Sequence, residues 1–311
     1  MEARTGRFGR RGWRTVAAGV ALAGVASAGI VPSADAAEGT RYLDEVFTSY
    51  TTTSDIPYGE STDYKGEVQT HLLDVLQPVG DTANARAAVV WVHGGYFKRG
   101  SKDIEWYQEA REQFVKAGYV VFSINYRLND SLPEGLLPTI QTLRLEEYIQ
   151  EAKDSTHDAQ AAVRWVRAHA PDYRVNPDLI AVAGHSAGGI IAQAVAWNSE
   201  DPGNSGTPGV SSRVAAAVSS AGGTLPGVLS YVGLNEPPVL ISHGVSDDVV
   251  PYPAAVPACV LTVLLGNVCE QQLKLDQKHP QFGYDGWREF LYRRMIKPKQ
   301  LDLPFQLRLV P

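Results

Sequence analysis

The stretch Leu179-Ile180-Ala181-Val182-Ala183-Gly184-His185-Ser186-Ala187-Gly188-Gly189-Ile190-Ile191-Ala192 constrains this chain more than any other. It reads as a short apolar strand, then Gly-x-Ser-x-Gly, then the first turn of a helix. That order is the nucleophile-elbow pattern, a sharp strand-to-helix turn with serine at its apex. The turn is too tight for side chains at its flanks, so Gly184 and Gly188 fit because they carry none. Ser186 is expected to expose its hydroxyl. The amides at the start of the following helix would face any negative charge forming beside it. A plain turn with a capping serine is the alternative. The apolar strand before the motif and the run Ile190 to Ala196 after it favour the elbow.

At 311 residues and 44% hydrophobic composition the chain can bury a substantial core. Its formal net charge of −6 argues against a nucleic-acid partner. The N-terminus reads as an export signal rather than as part of the fold. Arg4, Arg7, Arg10, Arg11 and Arg14 form a basic region, Val16 to Val31 an apolar Ala/Gly-rich one, and Ala34-Asp35-Ala36 a small-x-small cleavage site. Residues 1–36 are therefore expected to be a signal peptide and 37–311 a single secreted, extracellular domain. No stable membrane anchor is expected after cleavage. Arg10-Arg11 hints at twin-arginine export, although Gly12-Trp13 matches that signal poorly. Export implies an oxidising compartment, so the two cysteines, Cys259 and Cys269, are expected to be joined.

Residues 38–69 are polar and turn-rich and read as an extension wrapping the domain. Strands are expected at 71–78, 87–93, 119–126, 214–220 and 238–243, with an edge-ward strand at 270–275. Continuous apolar runs such as Ala87 to Val92 are typical of strands buried on both faces. Helices are expected at 104–117, from Ser155 to Ala170 behind a capping-box-like start, after the elbow to Trp197, at 254–265 and at 284–296. Residues 127–153 break this rhythm and are a candidate small cap insertion, with a short helix over 143–152. The tail from Pro298 carries no assignment. Strands alternating with helices predict an α/β class: a mainly parallel, doubly wound sheet.

In such sheets, function collects at the carboxyl ends of strands. His93-Gly94-Gly95-Tyr96 follows one strand, and its paired glycines let amides turn inward. Those of Gly95 and Tyr96, with that of Ala187, are candidate oxyanion-hole donors. Ser242 to Tyr252 follows another strand and offers Asp247 or Asp248 as an acid. His279 is the one histidine after that acid, so a Ser–acid–His order leaves it as the base, in the loop after the 270–275 strand. The disulfide would close the segment between acid and base and stiffen that loop. No metal-ligand cluster and no dinucleotide fingerprint occurs, so no cofactor is implied.

Together Val90-Trp91-Val92-His93-Gly94-Gly95-Tyr96-Phe97, Asp158 to Trp165, Gly184-His185-Ser186-Ala187-Gly188-Gly189 and His243-Gly244-Val245-Ser246-Asp247-Asp248-Val249-Val250-Pro251-Tyr252 resemble the secreted bacterial carboxylesterases of the α/β-hydrolase superfamily. The resemblance spans roughly 70 to 296. It implies an α/β-hydrolase fold, a Ser186–His279–Asp247 triad in preference to Asp248, and a small-molecule or polymeric ester substrate. Two positions depart from the family pattern. Tyr96 stands where a third glycine is usual, and its ring is expected to narrow the acyl pocket. His279 lies in Asp276-Gln277-Lys278-His279-Pro280 rather than after a Pro-Gly-x-Gly-like turn. Serine peptidase or amidase activity, and depolymerisation of polyesters or esterified polysaccharides, are the alternatives on the same scaffold. A catalytically silent binding protein is the reading from another class.

Overall fold

The computed structural model describes residues 39–134, 144–199, 201–279, 284–298 and 303–310. The expected signal peptide and the middle of the candidate cap, 135–143, lie outside the described residues.

Nine strands among the described residues form one sheet. They are β1 Tyr50–Thr62, β2 Val68–Pro78, β3 Arg86–Val92, β4 Val120–Ile124, β5 Val175–His185, β6 Ala216–Ser220, β7 Val239–Gly244, β8 Cys269–Lys274 and β9 Phe305–Val310. Their order across the sheet is β1-β2-β4-β3-β5-β6-β7-β8-β9. The β1–β2 and β2–β4 pairs are antiparallel, and every pair from β4 onward is parallel. The helices are α1 Gln108–Lys116, preceded by a 3-10 turn Glu105–Tyr107, then α2 Leu145–Ala168, α3 Ala187–Trp197, a short α4 Pro226–Leu229, α5 Val256–Leu264 and α6 Tyr284–Leu291.

Helices cover both faces of the central strands, which explains their uninterrupted apolar sequence. Along β3 alternate residues serve opposite cores. Ala88, Val90 and Val92 join Val163, Ile191 and Val195 of α2 and α3. Ala87, Val89 and Trp91 join Phe114, Trp287 and Leu291 of α1 and α6. Every residue of β3 and β4 is buried.

Four expectations are corrected. The N-terminal extension is a paired strand, β1, made irregular by register shifts around Ile56-Pro57. Polar, proline-bearing sequence is tolerated there because β1 is an edge strand. The C-terminal tail supplies β9, so β8 is flanked on both sides. Ser155-Thr156-His157-Asp158 does not open a helix; it lies buried inside α2, which starts at Leu145. Asp158 instead accepts from Arg127 Nη2 and Nε at 2.7 and 2.9 Å. It also lies 3.3 Å from His71 Nε2 of β2 and accepts from Ser205. Burial alone would raise this carboxyl, but the hydrogen bonds from His71 and Arg127 hold it well below the usual range. The fourth correction concerns the disulfide. Cys259 and Cys269 are joined, as expected, with 5.4 Å between their Cα atoms. The bond ties α5 to the first residue of β8, at the opposite end of that strand from His279, so it does not stiffen the His279 loop.

Candidate active site

Three loops leave the carboxyl ends of parallel strands β5, β7 and β8 and meet in one cleft. The first is the elbow. Ser186 takes φ 57° and ψ −119°, a conformation disfavoured for any residue with a Cβ. The chain is held there by Ser186 N donating to Ser220 O at 2.8 Å. The flanking glycines are sterically required. A Cβ on Gly184 would lie 2.3 Å from Gly188 O, and one on Gly188 would lie 2.2 Å from Val92 O. Ala187 is the first residue of α3, so its amide has no partner within the helix.

His279 Nε2 accepts from Ser186 Oγ at 2.9 Å, and its Nδ1 donates to Asp247 Oδ2 at 2.9 Å. The carboxylate requires a proton on Nδ1, which leaves Nε2 bare toward the serine. Asp247 is anchored further by the amides of Val249 and Val250, at 2.9 and 2.8 Å from Oδ1. His243 Nε2 lies 3.3 Å from Oδ2 and donates to Val250 O at 2.8 Å. Burial would raise the Asp247 carboxyl, but hydrogen bonds from His243 and His279 outweigh it and keep the group ionised. Asp248 turns outward to Lys278 Nζ at 2.8 Å. The acid and base loops are stitched together directly: Val245 N donates to Lys274 O at 2.9 Å and Ser246 N to Gln277 O at 3.1 Å.

The fourth wall is the turn after β3. Gly95 has φ 131°, and a Cβ there would lie 1.8 Å from Arg99 O, so only glycine fits. Tyr96 and Phe97 follow at φ 61° and 58°. Gly95, Tyr96, Ser186 and His279 line a cleft of about 550 Å³, together with Ile104, Trp106 and Tyr107. Tyr96 and Arg99 both line this cleft, with the Arg99 guanidinium 5.6 Å from the Tyr96 ring centroid. His93 is buried, Nδ1 hydrogen-bonded to Gly94 O at 2.7 Å, and burial pushes its pKa down to about 4. A neutral His93 braces the turn. Of the candidate cap, no described residue lines the cleft; Glu134 reaches its rim through Arg99, at 2.7 Å.

The structure thus brings together Ser186, His279 and Asp247, and places Gly95, Tyr96 and Ala187 around the serine. His243 and Tyr107 also take part in the site, and sequence reasoning assigned neither a role. His243 lies four residues before Asp247 at the end of β7, a signal that could have been read. Nothing near Tyr107 in the sequence marks it.

A mainly parallel sheet with this serine elbow and with acid and base on later strand ends defines an α/β-hydrolase fold. Residues 71–203 match the model of the carboxylesterase family. The chain is 35% identical over 115 residues to esterase LipI of Mycobacterium tuberculosis, covering 37% of this chain and 30% of that protein. It is 27% identical over 157 residues to the probable carboxylic ester hydrolase LipM of the same organism, covering 50% and 31%. The match thus spans under a third of the length of these curated relatives. Among solved structures, a truncated carbohydrate esterase from gut microbiota superposes with a TM-score of 0.64 at 18% identity, covering 84% of this chain and 100% of that one. A Thermogutta terrifontis esterase with bound propionate gives 0.62 at 21% identity, covering 79% and 96%. Over residues 71–203 the chain is thus similar to the carboxylesterase family, and its fold is the α/β-hydrolase fold of the esterases it superposes on.

Proposed function

We propose that this chain is an exported serine esterase acting on carboxylic esters. The observation that carries this reading is the continuous line Ser186 Oγ–His279 Nε2 and His279 Nδ1–Asp247 Oδ2, each link 2.9 Å, drawn from three separate strand ends. His279 takes the proton from Ser186 as Oγ attacks the ester carbonyl. The carbonyl electron pair moves onto oxygen, where the amides of Gly95, Tyr96 and Ala187 receive it. Asp247 holds the imidazole in its donor-at-Nδ1 tautomer and stabilises the imidazolium. Collapse of the tetrahedral intermediate breaks the bond to the alcohol, which leaves with the proton from His279. Water activated by the same nitrogen then releases the acid from the acyl-serine.

The acyl side takes short chains. Tyr96 lines the cleft of about 550 Å³, and two similar structures hold propionate and butyrate. Export follows from the leader-like residues 1–36 and suits the joined cysteines.

The test is hydrolysis of a p-nitrophenyl ester series of increasing acyl length, by wild-type protein beside Ser186→Ala. Turnover that falls with chain length and vanishes in the variant supports the reading. Faster cleavage of the matched anilide would make the protein an amidase. Absence of turnover on any ester, from folded protein, would sink the esterase reading. N-terminal sequencing of protein from the culture medium tests export, which a start at Met1 would contradict.

A further inference from the structure

One polar side chain in the cleft has no part in the chemistry above. Tyr107 ends the 3-10 turn before α1. Its ring packs beside Trp91 and His185, with centroids 5.8 and 5.4 Å away. These contacts carry the phenol to the oxyanion turn. A Cβ built on Gly94 would stand 2.7 Å from Tyr107 Oη and 3.0 Å from Ser186 Cβ. The hydroxyl and the nucleophile therefore flank the same glycine. The phenol oxygen is thus set against the Gly94 backbone. Its own proton has no acceptor among the described residues, and the residue lines the cleft with Ser186. The residue is half-buried and opens on the cleft, so a ligand there can supply the acceptor. Burial pushes the phenol up to about 12, so it enters any working pH protonated, as a donor and not a base.

We propose that Tyr107 is a further catalytic residue, whose O–H donates to the ester carbonyl oxygen as that oxygen becomes negative. The inference rests on the serine-esterase reading. As Ser186 Oγ bonds to the carbonyl carbon, the C=O electron pair moves to oxygen. The Tyr107 hydrogen bond then strengthens without proton transfer and relaxes when the carbonyl re-forms and the alcohol leaves.

Tyr107→Phe keeps the ring and removes only the hydroxyl. In the full chain it should lower kcat about 10- to 100-fold, with KM within about threefold, because the lost bond forms chiefly in the transition state. Affinity for phenylboronic acid, which becomes tetrahedral and anionic on a serine, should fall by a similar factor. A merely structural role would lower the melting temperature without that matched loss. Unchanged kcat and boronate affinity, or a change confined to KM, overturns the proposal. Should Tyr107→Phe not fold, 3-fluorotyrosine placed at 107 keeps shape and hydroxyl while making the phenol a stronger donor. Boronate must then bind more tightly than to wild type, and unchanged binding overturns the proposal. A wild-type protein inert toward every ester sinks the esterase reading and this inference with it. An active wild type with an unimpaired Tyr107→Phe sinks this inference alone.

Discussion

Asp247 and Asp248 are chain neighbours with opposite environments. Asp247 turns inward to two amides, His243 and His279, while Asp248 turns out to Lys278. Asp247→Asn keeps the size but offers an amide to Nδ1, which favours the wrong imidazole tautomer. Its kcat should fall on the order of 10⁴-fold. Asp248→Asn removes only an exposed ion pair and should stay within about threefold. Equal losses in a steady-state comparison would remove Asp247 from its proposed role. Ser186 invites a second test at this scale. Its φ of 57° stores strain on the order of 1 kcal/mol, which a residue without Cβ relieves. Ser186→Gly should therefore unfold at higher urea than Ser186→Ala, and equal midpoints would show that the elbow is unstrained. The serine was legible in the sequence because its glycine flanks are a steric necessity. The placement of His279 beside the serine followed from chain order alone. Tyr107 was illegible because its position beside Gly94 depends on tilted ring contacts with Trp91 and His185 that no local pattern encodes.

Individual elements divide the work of stability and chemistry. In β8 the disulfide sits at Cys269 and His279 lies beyond Lys274, about 16 Å further along a strand rising about 3.3 Å per residue. Replacing both cysteines by serine should cost about 2–3 kcal/mol of stability in the loop-closure picture while leaving kcat/KM of the folded enzyme unchanged. A fall in kcat/KM at temperatures where the variant is fully folded would contradict this separation. In α2, Glu151 is buried, and its Oε1 has no hydrogen-bond partner among the described residues. Burial, with a smaller push from Asp154, raises its pKa to about 8. Its folded pKa thus exceeds the unfolded value of about 4.3, so the folded state holds more protons between those values and stability falls as pH rises through them. Glu151→Gln should cancel that fall. It should gain on wild type by a few kcal/mol between pH 4 and pH 8, read from urea curves at each pH. A difference independent of pH would show that Glu151 titrates normally. The sequence misplaced the start of α2 for a related reason. Ser155 to Asp158 are polar yet buried; distant segments satisfy Asp158 through Arg127, His71 and Ser205, His157 through Asp201 and Ser155 through the Arg127 carbonyl, and polar residues at a helix start and in a helix interior look alike until those partners are known.

Across the whole molecule, the central sheet was legible because strands covered on both faces must be apolar throughout, as β3 and β4 are. The edges were not, because β1 and β9 bury little and so carry no such signature. Among the described residues, no helix is long and apolar enough to cross a membrane. The same distribution of burial sorts the tryptophans. Trp91, Trp165, Trp197 and Trp287 are buried in the cores, whereas Trp106 is 69% exposed and lines the cleft that holds Ser186. In protein prepared without residues 1–36, and so without Trp13, iodide should quench one class of indole and spare the rest. Saturating the cleft with phenylboronic acid should shield that class and flatten the Stern–Volmer slope. A slope that ignores the ligand would mean that Trp106 stands clear of bound molecules. Otherwise the chain carries an optical gauge at its own doorway: absorbance counts the product released, emission counts the sites filled, and the two signals are separable in one cuvette.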